Sequence, residues 1–346
     1  MHVLCYGAGA VGSLIGGHLS RSGDAQVTLL GRRAHVAAVR TWGLHLETPE
    51  GVVRCKRLDS ITTLEDMREQ PDVVVLTVKA YQTADAVTQL ASLLQRGVQI
   101  VTLQNGVGNE ELIAGTARPD RVTAGAVTLS VSLLRPGVVR QHTADGGVAL
   151  APVGGATPMP EFAEVLRHAG FRVETFPDYR AMKWSKLLLN MLGNATSAIL
   201  DLAPPEIARH ARLFGVERDA FREAVRVMHA LRLEPVALPG YPVPALVRVM
   251  RGPAWVARRV VGPKLGGGRG GKMPSLWEDL ERGRDRSEVE VLNGAVVREG
   301  AALRVPTPVN ALLTQVLVGL AAGRRDREEF RRKPDALLRL RRTGAT

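Results

Sequence analysis

The stretch that decides the fold runs from residue 1 to residue 20, MHVLCYGAGAVGSLIGGHLS. An apolar run, His2–Tyr6, precedes the glycine-rich turn Gly7–Gly12, and a helix-like stretch follows from Ser13 to Ser20. This order predicts a buried strand, a tight turn and a helix. A strand that is apolar throughout belongs to a parallel sheet covered on both faces. We therefore expect an α/β fold of the Rossmann type, with a doubly wound, mostly parallel sheet.

The turn carries glycines at the spacing of the dinucleotide-binding motif G-x-G-x-x-G, directly after a strand. Its residues are Gly7, Ala8, Gly9, Ala10, Val11 and Gly12. Gly7 permits the tight turn, Gly9 lets the backbone approach a pyrophosphate, and Gly12 allows close packing of the helix. The helix N-terminus adds unpaired N–H groups and a positive dipole end. We predict that these six residues bind a dinucleotide; a glycine-rich turn without a ligand is the alternative.

The end of the second predicted strand, Gln26–Leu30, indicates which dinucleotide. NAD-specific proteins usually place an acid there to accept the ribose hydroxyls, whereas this chain has Gly31 and Arg32. A guanidinium can bind a 2′-phosphate through two hydrogen bonds, and an acid would repel it. NADP is therefore favoured over NAD, with a merely solvated arginine as the alternative.

Two more predicted strands, Asp72–Val78 and Gln99–Leu103, lead to polar side chains at their carboxyl ends. Ligands bind at this edge in open parallel sheets. We expect Lys79 to bind a phosphate or ribose of the cofactor and Asn105 to orient the nicotinamide or the substrate. A loop lysine and an Asx turn are the alternatives.

The pattern along the rest of the chain predicts a second, all-helical domain. Further strands are expected to extend the sheet at Val122–Thr128, Val138–Gln141, Gly147–Pro152 and Phe171–Phe176. Pro177 then ends the pattern, so we place a dinucleotide-binding domain at residues 1–177 and a helical domain at 178–346. Helices are expected from Asp178, as N-cap, to Met191, and at Pro205–Leu231 and Ser287–Glu299. The Pro-, Gly- and Arg-rich excursion at 238–273 is predicted to be partly irregular, with one short helix at Pro244–Arg251.

The composition excludes several classes of protein. The 346 residues are 45% apolar, as in soluble globular proteins of two domains. The net charge of +12 is concentrated in 248–272 and 324–342, but only 4% of residues are aromatic and no recognition motif accompanies the charge, so a nucleic-acid partner is not expected. A solvated basic face that attracts anionic substrate and cofactor is favoured instead.

Other features favour a cytoplasmic protein without a metal. The first residues lack a basic leader with a cleavage site, and no apolar run is long enough to span a membrane, so no membrane partner is expected. The two cysteines, Cys5 and Cys55, do not suggest a disulfide framework. The histidines have no metal-ligand spacing. A homodimer is left open.

A segment in the second half indicates where chemistry takes place. Lys186, Asn190 and Asn194 recur at a spacing of four in an otherwise apolar stretch, so they share one face if the helix continues through Gly193. Apolar surroundings would lower the pKa of Lys186 toward the range used in proton transfer. Snorkelling of Lys186 to the surface is the alternative. Lys183, one turn earlier, is assigned to the surface.

With these residues assembled, the chain resembles the ketopantoate reductase family, also called 2-dehydropantoate 2-reductases, over nearly its whole length. The matching motifs are the glycine-rich turn, Lys79-Ala80-Tyr81-Gln82, Asn105–Gly108, Trp184-Ser185-Lys186-Leu187 with Asn190 and Asn194, Ser275, Gly283-Arg284, Ser287–Glu290, Asn293-Gly294 and Val305–Asn310. The main departure is the excursion at 238–273, which precedes Ser275 and bears on substrate identity.

The resemblance implies an enzyme that reduces 2-dehydropantoate to pantoate with NADPH, in the biosynthesis of pantothenate and coenzyme A. It implies that Lys186 hydrogen-bonds the carbonyl oxygen and donates the proton, and that Glu288 faces the substrate hydroxyl and holds Lys186. Asn190, Asn194 and Ser275 would bind the substrate.

Other roles remain open for these residues. Ser287 and Glu290 form a predicted capping box, and stabilisation of the first helical turn is the alternative role for Glu288. The alternative functions are a paralogous reductase of another branched or bulkier 2-keto acid, and a non-catalytic NADPH sensor, which would not need Lys186 or Glu288.

Overall fold

The computed structural model describes residues 1–155, 159–267 and 272–344, which form two compact units. The α/β unit contains residues 1–104, 108–183 and 238–241. The helical unit contains residues 105–107, 184–237 and the described residues from 242 onward. Residues 105–107 thus belong to the helical unit, although the residues before and after them belong to the α/β unit. Residues 238–241 belong to the α/β unit, although the residues before and after them belong to the helical unit.

The strands of the described residues are, in chain order, β1 (His2–Tyr6), β2 (Gln26–Leu30), β3 (Leu44–Thr48), β4 (Gly51–Cys55), β5 (Asp59–Ile61), β6 (Val73–Leu76), β7 (Gln99–Thr102), β8 (Val122–Val127), β9 (Val131–Arg135), β10 (Val138–Gln141), β11 (Val148–Pro152) and β12 (Val173–Thr175). The α-helices are α1 (Ala10–Ser22), α2 (Arg33–Trp42), α3 (Thr83–Gln95), α4 (Asn109–Ala114), α5 (Pro160–His168), α6 (Tyr179–Met191), α7 (Ala195–Leu200), α8 (Pro204–Arg209), α9 (Ala211–Ala230), α10 (Val243–Arg251), α11 (Ala254–Gly267), α12 (Ser275–Glu281), α13 (Asn293–Ala302), α14 (Pro308–Ala321) and α15 (Pro334–Thr343).

An eight-stranded sheet organises the α/β unit, in the order β12-β11-β8-β7-β6-β1-β2-β5. Only the β8–β11 pair is antiparallel, so the prediction of a mostly parallel Rossmann-type sheet is confirmed. The chain passes from β1 to β2 on one side and later to β6 on the other. The carboxyl end of β1 therefore lies at the point where the strand order reverses, which is where such sheets bind ligands.

The strand β1 is apolar throughout because it borders two cores. Val3 and Cys5 pack into a cluster with Leu14 and Leu29, whereas Leu4 and Tyr6 pack into a second cluster on the opposite side of the sheet. The side chains of its last four residues, Val3 to Tyr6, are 5% exposed or less. Burial on both faces explains why no alternation of polar and apolar residues marks this strand.

One predicted strand belongs to a different sheet. Val138–Gln141 is present as β10, but it lies in a separate four-stranded sheet of order β4-β3-β10-β9 rather than extending the main sheet. The prediction was wrong in this respect because the residues of β10 do not specify that its partners are β3 and β9. Register and partner depend on tertiary packing.

In the helical unit, two long predicted helices are interrupted. The expected helix Pro205–Leu231 is divided into α8 and α9 by His210, which adopts extended backbone angles and accepts the Leu213 N–H through Nδ1 at 3.3 Å. The expected helix from Ser287 begins with a 3₁₀ turn, Glu288–Val291, and continues as α13.

The excursion at 238–273 is more helical than predicted. It contains α10 and also α11, which the sequence analysis missed. Within α11, Ala257, Val261 and Leu265 recur at a spacing of four and are all buried, which is the pattern of an amphipathic helix. The surrounding proline and glycine residues obscured this pattern. Gly268–Gly271 lie outside the described residues.

The basic C-terminal segment is paired with acids of the same unit. Its arginines pair with carboxylates in Arg325–Glu329, Arg327–Glu281, Arg331–Asp201, Arg332–Glu206 and Arg341–Asp219. Exposed pairs of this kind contribute about 0–1 kcal/mol each to the free energy of unfolding. Their main effect is therefore to hold the C-terminal segment against the rest of the helical unit.

Two further findings concern the described residues as a whole. No helix among them combines the length and apolarity needed to cross a bilayer. Both cysteines are unpaired and buried, and burial raises the pKa of the Cys5 thiol to about 12.

Candidate active site

Packing within the α/β unit requires glycine at both ends of the glycine-rich turn. Gly7 has φ +109°, and a Cβ there would lie 2.7 Å from the backbone nitrogen of Val78. A Cβ on Gly12 would lie 2.5 Å from Thr77 Oγ1 and nearer still to the Gly7 carbonyl oxygen. Thr77 Oγ1 donates to that same carbonyl at 2.7 Å. Gly7 and Gly12 therefore serve the fold itself, whatever the turn binds.

Gly9 is different because, apart from its own chain neighbours, none of the described residues fills the space beside it. A Cβ on Gly9 would meet no atom nearer than the Gly7 carbonyl oxygen at 3.9 Å. Gly9 is the N-cap of α1, it makes no side-chain cap, and the first turn of α1 contains no acid. Helix N-termini of this kind offer free N–H groups and positive potential to an anion. The open cradle over Gly9, Ala10 and Val11 thus fits a pyrophosphate.

The turn is joined to the end of β2, which carries Arg32. The backbone N–H groups of Gly7 and Ala8 donate to the Leu30 carbonyl at 3.1 and 2.7 Å. Gly31 is also required, since a Cβ there would lie 2.8 Å from Ala8 Cβ. Arg32 follows as the N-cap of α2 with an exposed side chain, and within the described part of the chain it forms no ion pair. A guanidinium in this position is available to a phosphate.

Lys79 follows the carboxyl end of β6, the strand that pairs with β1 on the side opposite to β2. Thr77, two residues earlier, bonds the Gly7 carbonyl, and this contact connects the end of β6 to the glycine-rich turn. Lys79 is half-buried and is the N-cap of the 3₁₀ turn Ala80–Gln82. Lys79 therefore follows, by two residues, a threonine that contacts the glycine-rich turn.

His35 contacts the first turns of α1, next to the glycine-rich turn. Its Nδ1 accepts the Gly137 N–H at 3.2 Å, so the proton of the neutral ring is on Nε2, which donates to Ser13 Oγ at 3.1 Å. Ser13 follows Gly12 in α1. Burial lowers the pKa of His35, which keeps the ring neutral and these two bonds intact.

Lys183 is not at the surface, contrary to the prediction. Its side chain is 2% exposed and forms an ion pair with the equally buried Glu110 at 2.8 Å. Its Nζ also donates to the carbonyl oxygens of Gln104 at 2.6 Å and Gly125 at 3.2 Å. The sequence analysis missed this because helical spacing does not tell which side of α6 faces a carbonyl-lined pocket.

In the helical unit, residues 105–107 contact two elements of that unit. Asn105 Oδ1 accepts a hydrogen bond from Asn190 Nδ2 at 3.0 Å. The Val107 N–H donates to the Val291 carbonyl at 3.2 Å, and Gly106, with φ +84°, has Val291 atoms where a Cβ would lie. Asn105 is thereby held between α6 and the turn that begins at Glu288.

The helix α6 carries Lys186 and Asn190 on one face but ends before Asn194. Gly193 has φ +61°, so the expected continuation of the helix through Gly193 is wrong. The buried carboxylate of Glu217 stabilises the break by accepting the Gly193 N–H at 2.6 Å. Lys186 is half-buried.

Asn194 links α6 to the helix that begins at Ser275. Its Nδ2 donates to the Asn190 carbonyl at 3.0 Å, and its Oδ1 accepts the Leu276 N–H at 3.2 Å. Asn194 is 3% exposed, and Ser275 is half-buried at the first position of α12. The amides of Asn105, Asn190 and Asn194 thus form one chain that ends beside Ser275.

Glu288 is buried at 4% exposure, in the 3₁₀ turn rather than in an α-helix. Ser287 caps this turn by accepting the Val289 N–H at 3.2 Å. Glu290 is exposed, and the predicted reciprocal box with Ser287 is not formed. Glu288 is therefore a buried carboxylate in the first turn of this 3₁₀ segment.

Two other motifs of the second half, at Asn293 and Asn310, have a structural explanation. Asn293 Nδ2 donates to Asn310 Oδ1 at 2.9 Å, and Asn310 Nδ2 donates to Glu223 at 2.7 Å. Glu223 also accepts the N–H groups of Val309 and Asn310, so it caps α14. Burial raises the pKa of Glu223. These residues hold α9, α13 and α14 together.

Each unit by itself therefore contains a set of functional groups suited to one task. The α/β unit offers an anion cradle and an exposed arginine, and the helical unit offers a lysine, a buried carboxylate and connected amides. Lysine and carboxylate are suited to proton transfer, and amides orient carbonyl and carboxylate groups. Sequence reasoning missed Thr77, Gln104, Glu217 and Lys183, which support these sets without a motif of their own.

Comparison with known proteins agrees with this arrangement. The model of the ketopantoate reductase PanE/ApbA family matches residues 3–155, and that of its C-terminal part matches residues 178–321. The 2-dehydropantoate 2-reductase of Archaeoglobus fulgidus is 32% identical over 92% of this chain and 97% of its own length.

Solved structures show the same architecture. A PanE/ApbA family ketopantoate reductase from Ralstonia eutropha superimposes with a TM-score of 0.78 at 30% identity, over 93% of this chain and 99% of that one. D-mandelate dehydrogenase in a ternary structure with NADH and anilino(oxo)acetate has a TM-score of 0.79 at 23% identity, over 93% and 99% of the two chains, which shows the shared fold. The chain belongs to the ketopantoate reductase family of dinucleotide-dependent oxidoreductases.

Proposed function

We propose that this protein reduces 2-dehydropantoate to pantoate with NADPH. The observation that carries the proposal is the amide chain of the helical unit, in which Asn105, Asn190 and Asn194 are joined by hydrogen bonds. This chain begins on α6 one turn after Lys186 and ends at the start of α12, where Ser275 lies. The 2-dehydropantoate 2-reductases that match the chain over more than nine-tenths of its length support the substrate.

The residues fit a reduced dinucleotide. The space over Gly9 accepts the pyrophosphate, and the free N–H groups of α1 bind its charge. Arg32 binds the 2′-phosphate, which favours NADPH over NADH, and Lys79 binds a phosphate or ribose. When bound, the reduced nicotinamide supplies a hydride to the keto carbon.

The protein's own groups perform the remaining steps. Lys186, in its ammonium form, hydrogen-bonds the keto oxygen, stabilises the charge that develops there and donates a proton to it. Glu288 accepts a hydrogen bond from the substrate hydroxyl and holds Lys186. Asn105 orients the nicotinamide or substrate, Asn190 and Ser275 bind the substrate oxygens, and Asn194 holds the helix of Ser275 in place.

A reductase of a bulkier 2-keto acid is the second candidate. The helices α10 and α11 occupy the excursion that precedes Ser275, and D-mandelate dehydrogenase, a protein of the same fold, was solved with NADH and anilino(oxo)acetate. An NADPH sensor is less well supported because it would need neither Lys186 nor the buried Glu288.

The test is a steady-state assay of the purified protein against 2-dehydropantoate and a panel of branched and aryl 2-keto acids, with oxidation of NADPH and NADH followed by absorbance. We expect the highest kcat/KM for 2-dehydropantoate with NADPH. Preference for an aryl acid would favour the second candidate, and binding of NADPH without turnover of any acid would favour a sensor. A homodimer and a cytoplasmic location remain predictions, which sedimentation velocity and cell fractionation would test.

A further inference from the structure

The side chain of Lys183 is surrounded by oxygen atoms of the α/β unit. Its Nζ lies 2.6 Å from the Gln104 carbonyl oxygen, 3.2 Å from the Gly125 carbonyl oxygen and 2.8 Å from Glu110 Oε1. The first two contacts are hydrogen bonds and the third is an ion pair. An ammonium group has three N–H donors, so three oxygens match its full capacity.

This arrangement is costly to bury, which indicates that it does more than fill space. The side chains of Lys183 and Glu110 are 2% and 1% exposed. Burial raises the pKa of Glu110, and the charge of Lys183 opposes that rise. Apolar residues of similar size often stabilise a core as well as or better than a buried ion pair does. We therefore attribute the Lys183–Glu110 pair to a role in fixing the backbone that Lys183 contacts.

The three contacts of Lys183 are on three different elements. Gln104 follows the end of β7, Gly125 is in β8, and Glu110 is in the first turn of α4. The turn between Gln104 and α4 contains Asn105, which we propose orients the nicotinamide or substrate. Lys183 therefore holds this turn at both of its ends, through the Gln104 carbonyl and through Glu110.

The side chain of Gln104 extends the network to the turn that carries Lys79. Gln104 Nε2 donates to the Val78 carbonyl and to Thr83 Oγ1, both at 2.9 Å. Thr83 Oγ1 in turn donates to Asn109 Oδ1 at 3.0 Å. Val78 and Thr83, which flank Lys79, and Gln104 and Asn109, which flank Asn105, thus belong to one hydrogen-bond network.

We infer that Lys183 is a positioning residue, which fixes the turn 104–110 and with it the place of Asn105, while Lys186 on the same helix acts on the substrate. Lys183 does not serve as the proton donor, because its N–H groups face protein oxygens and its side chain is buried. The effect on turnover rests on the proposed function; the effect on the turn does not.

The test compares variants that separate the two lysines. Lys183→Met/Glu110→Gln removes both charges together and so leaves no unpaired buried ion. Glu110→Gln alone keeps an oxygen beside Nζ and is the conservative variant. Lys186→Met addresses the proposed proton donor, and Lys56→Met, at an exposed position of the same unit, is the matched control.

The measurements are thermal unfolding, hydrogen–deuterium exchange of peptides covering residues 104–110, NADPH titration by fluorescence, and kcat and KM for the keto acid. In the double variant we expect faster exchange in 104–110 and a fall of about 10²-fold in kcat/KM, the loss that a displacement of about 1 Å produces. Glu110→Gln should show a smaller change of the same kind. Lys186→Met should lower kcat without faster exchange, and Lys56→Met should change neither.

Unchanged exchange in 104–110 in the folded double variant would overturn the inference, whatever its activity. The same holds if exchange rises equally over the whole chain, because Lys183 would then only stabilise the fold. If the natural protein turns over no 2-keto acid, the proposed function fails, and the exchange data still decide the role of Lys183.

Discussion

The structure predicts opposite behaviour for two glycines of one turn. Gly9→Ala places a methyl group in open space, with no atom nearer than 3.9 Å, at a backbone conformation that alanine can adopt. Gly12→Ala places it 2.5 Å from Thr77 Oγ1 and nearer still to the Gly7 carbonyl. The first change should spare the fold and affect the ligand, and the second should affect the fold.

The expected magnitudes follow from these contacts. Alanine is a poorer N-cap than glycine, which costs Gly9→Ala less than about 1 kcal/mol of folding free energy. The methyl group occupies the space of the pyrophosphate, and loss of one charge-assisted hydrogen bond costs about 1.5–3 kcal/mol, or roughly tenfold to 150-fold in the Kd for NADPH. For Gly12→Ala, a methyl group in a packed site costs about 1–3 kcal/mol of folding free energy.

The assay is urea unfolding of both variants together with NADPH titration by fluorescence. Gly9→Ala should unfold near the urea midpoint of the natural protein yet bind NADPH weakly, whereas Gly12→Ala should unfold at lower urea. Normal NADPH affinity in a folded Gly9→Ala variant would refute the placement of the pyrophosphate over Gly9. Normal stability of Gly12→Ala would show that the turn relaxes and that the contact with Thr77 is dispensable.

Three further predictions concern single residues. Lys186→Met should lower kcat by about 10²–10⁴-fold, the usual contribution of general acid catalysis, with the NADPH Kd unchanged in titration; a large change in Kd would contradict its assignment. Arg32→Asp should raise the KM for NADPH and spare that for NADH, because an acid repels the 2′-phosphate; equal losses with both cofactors would argue against this contact. Since burial lowers the pKa of His35, its neutral form stabilises the fold above about pH 6.5, and this stability is lost as the pH falls. The melting temperature should therefore fall between pH 7 and pH 5, and it should fall less in the His35→Gln variant. Identical pH profiles of the variant and the natural protein would show that His35 does not cause the pH dependence.

Much of the α/β unit was predictable because its signals are local. The strands at His2–Tyr6 and Gln26–Leu30 have the bounds that their apolar runs predicted, and Asp178 caps α6 through the N–H groups of Arg180 and Ala181 as expected. An uninterrupted apolar run and a capping side chain are both formed by residues that are neighbours in the sequence. Such features need no knowledge of the rest of the chain.

The second half was less predictable because its breaks depend on distant partners. The stop of α6 at Gly193 requires Glu217 to accept its N–H, and the link of Asn194 to α12 requires Leu276. The buried Lys183 is the clearest case, since its three oxygen contacts come from segments far away in the sequence. Helical periodicity shows which residues share a face but not what that face meets.

By itself, then, the sequence determined the class of fold, the turn that fits a dinucleotide and the type of residue available for proton transfer. These depend on glycine spacing, apolar runs and the chemistry of Arg32 and Lys186. Only the tertiary structure decided which atoms of Val78 and Thr77 lie against Gly7 and Gly12, and that Lys183 is buried. The physical reason is that steric contact and desolvation are set by atoms brought together in folding, which no local pattern contains.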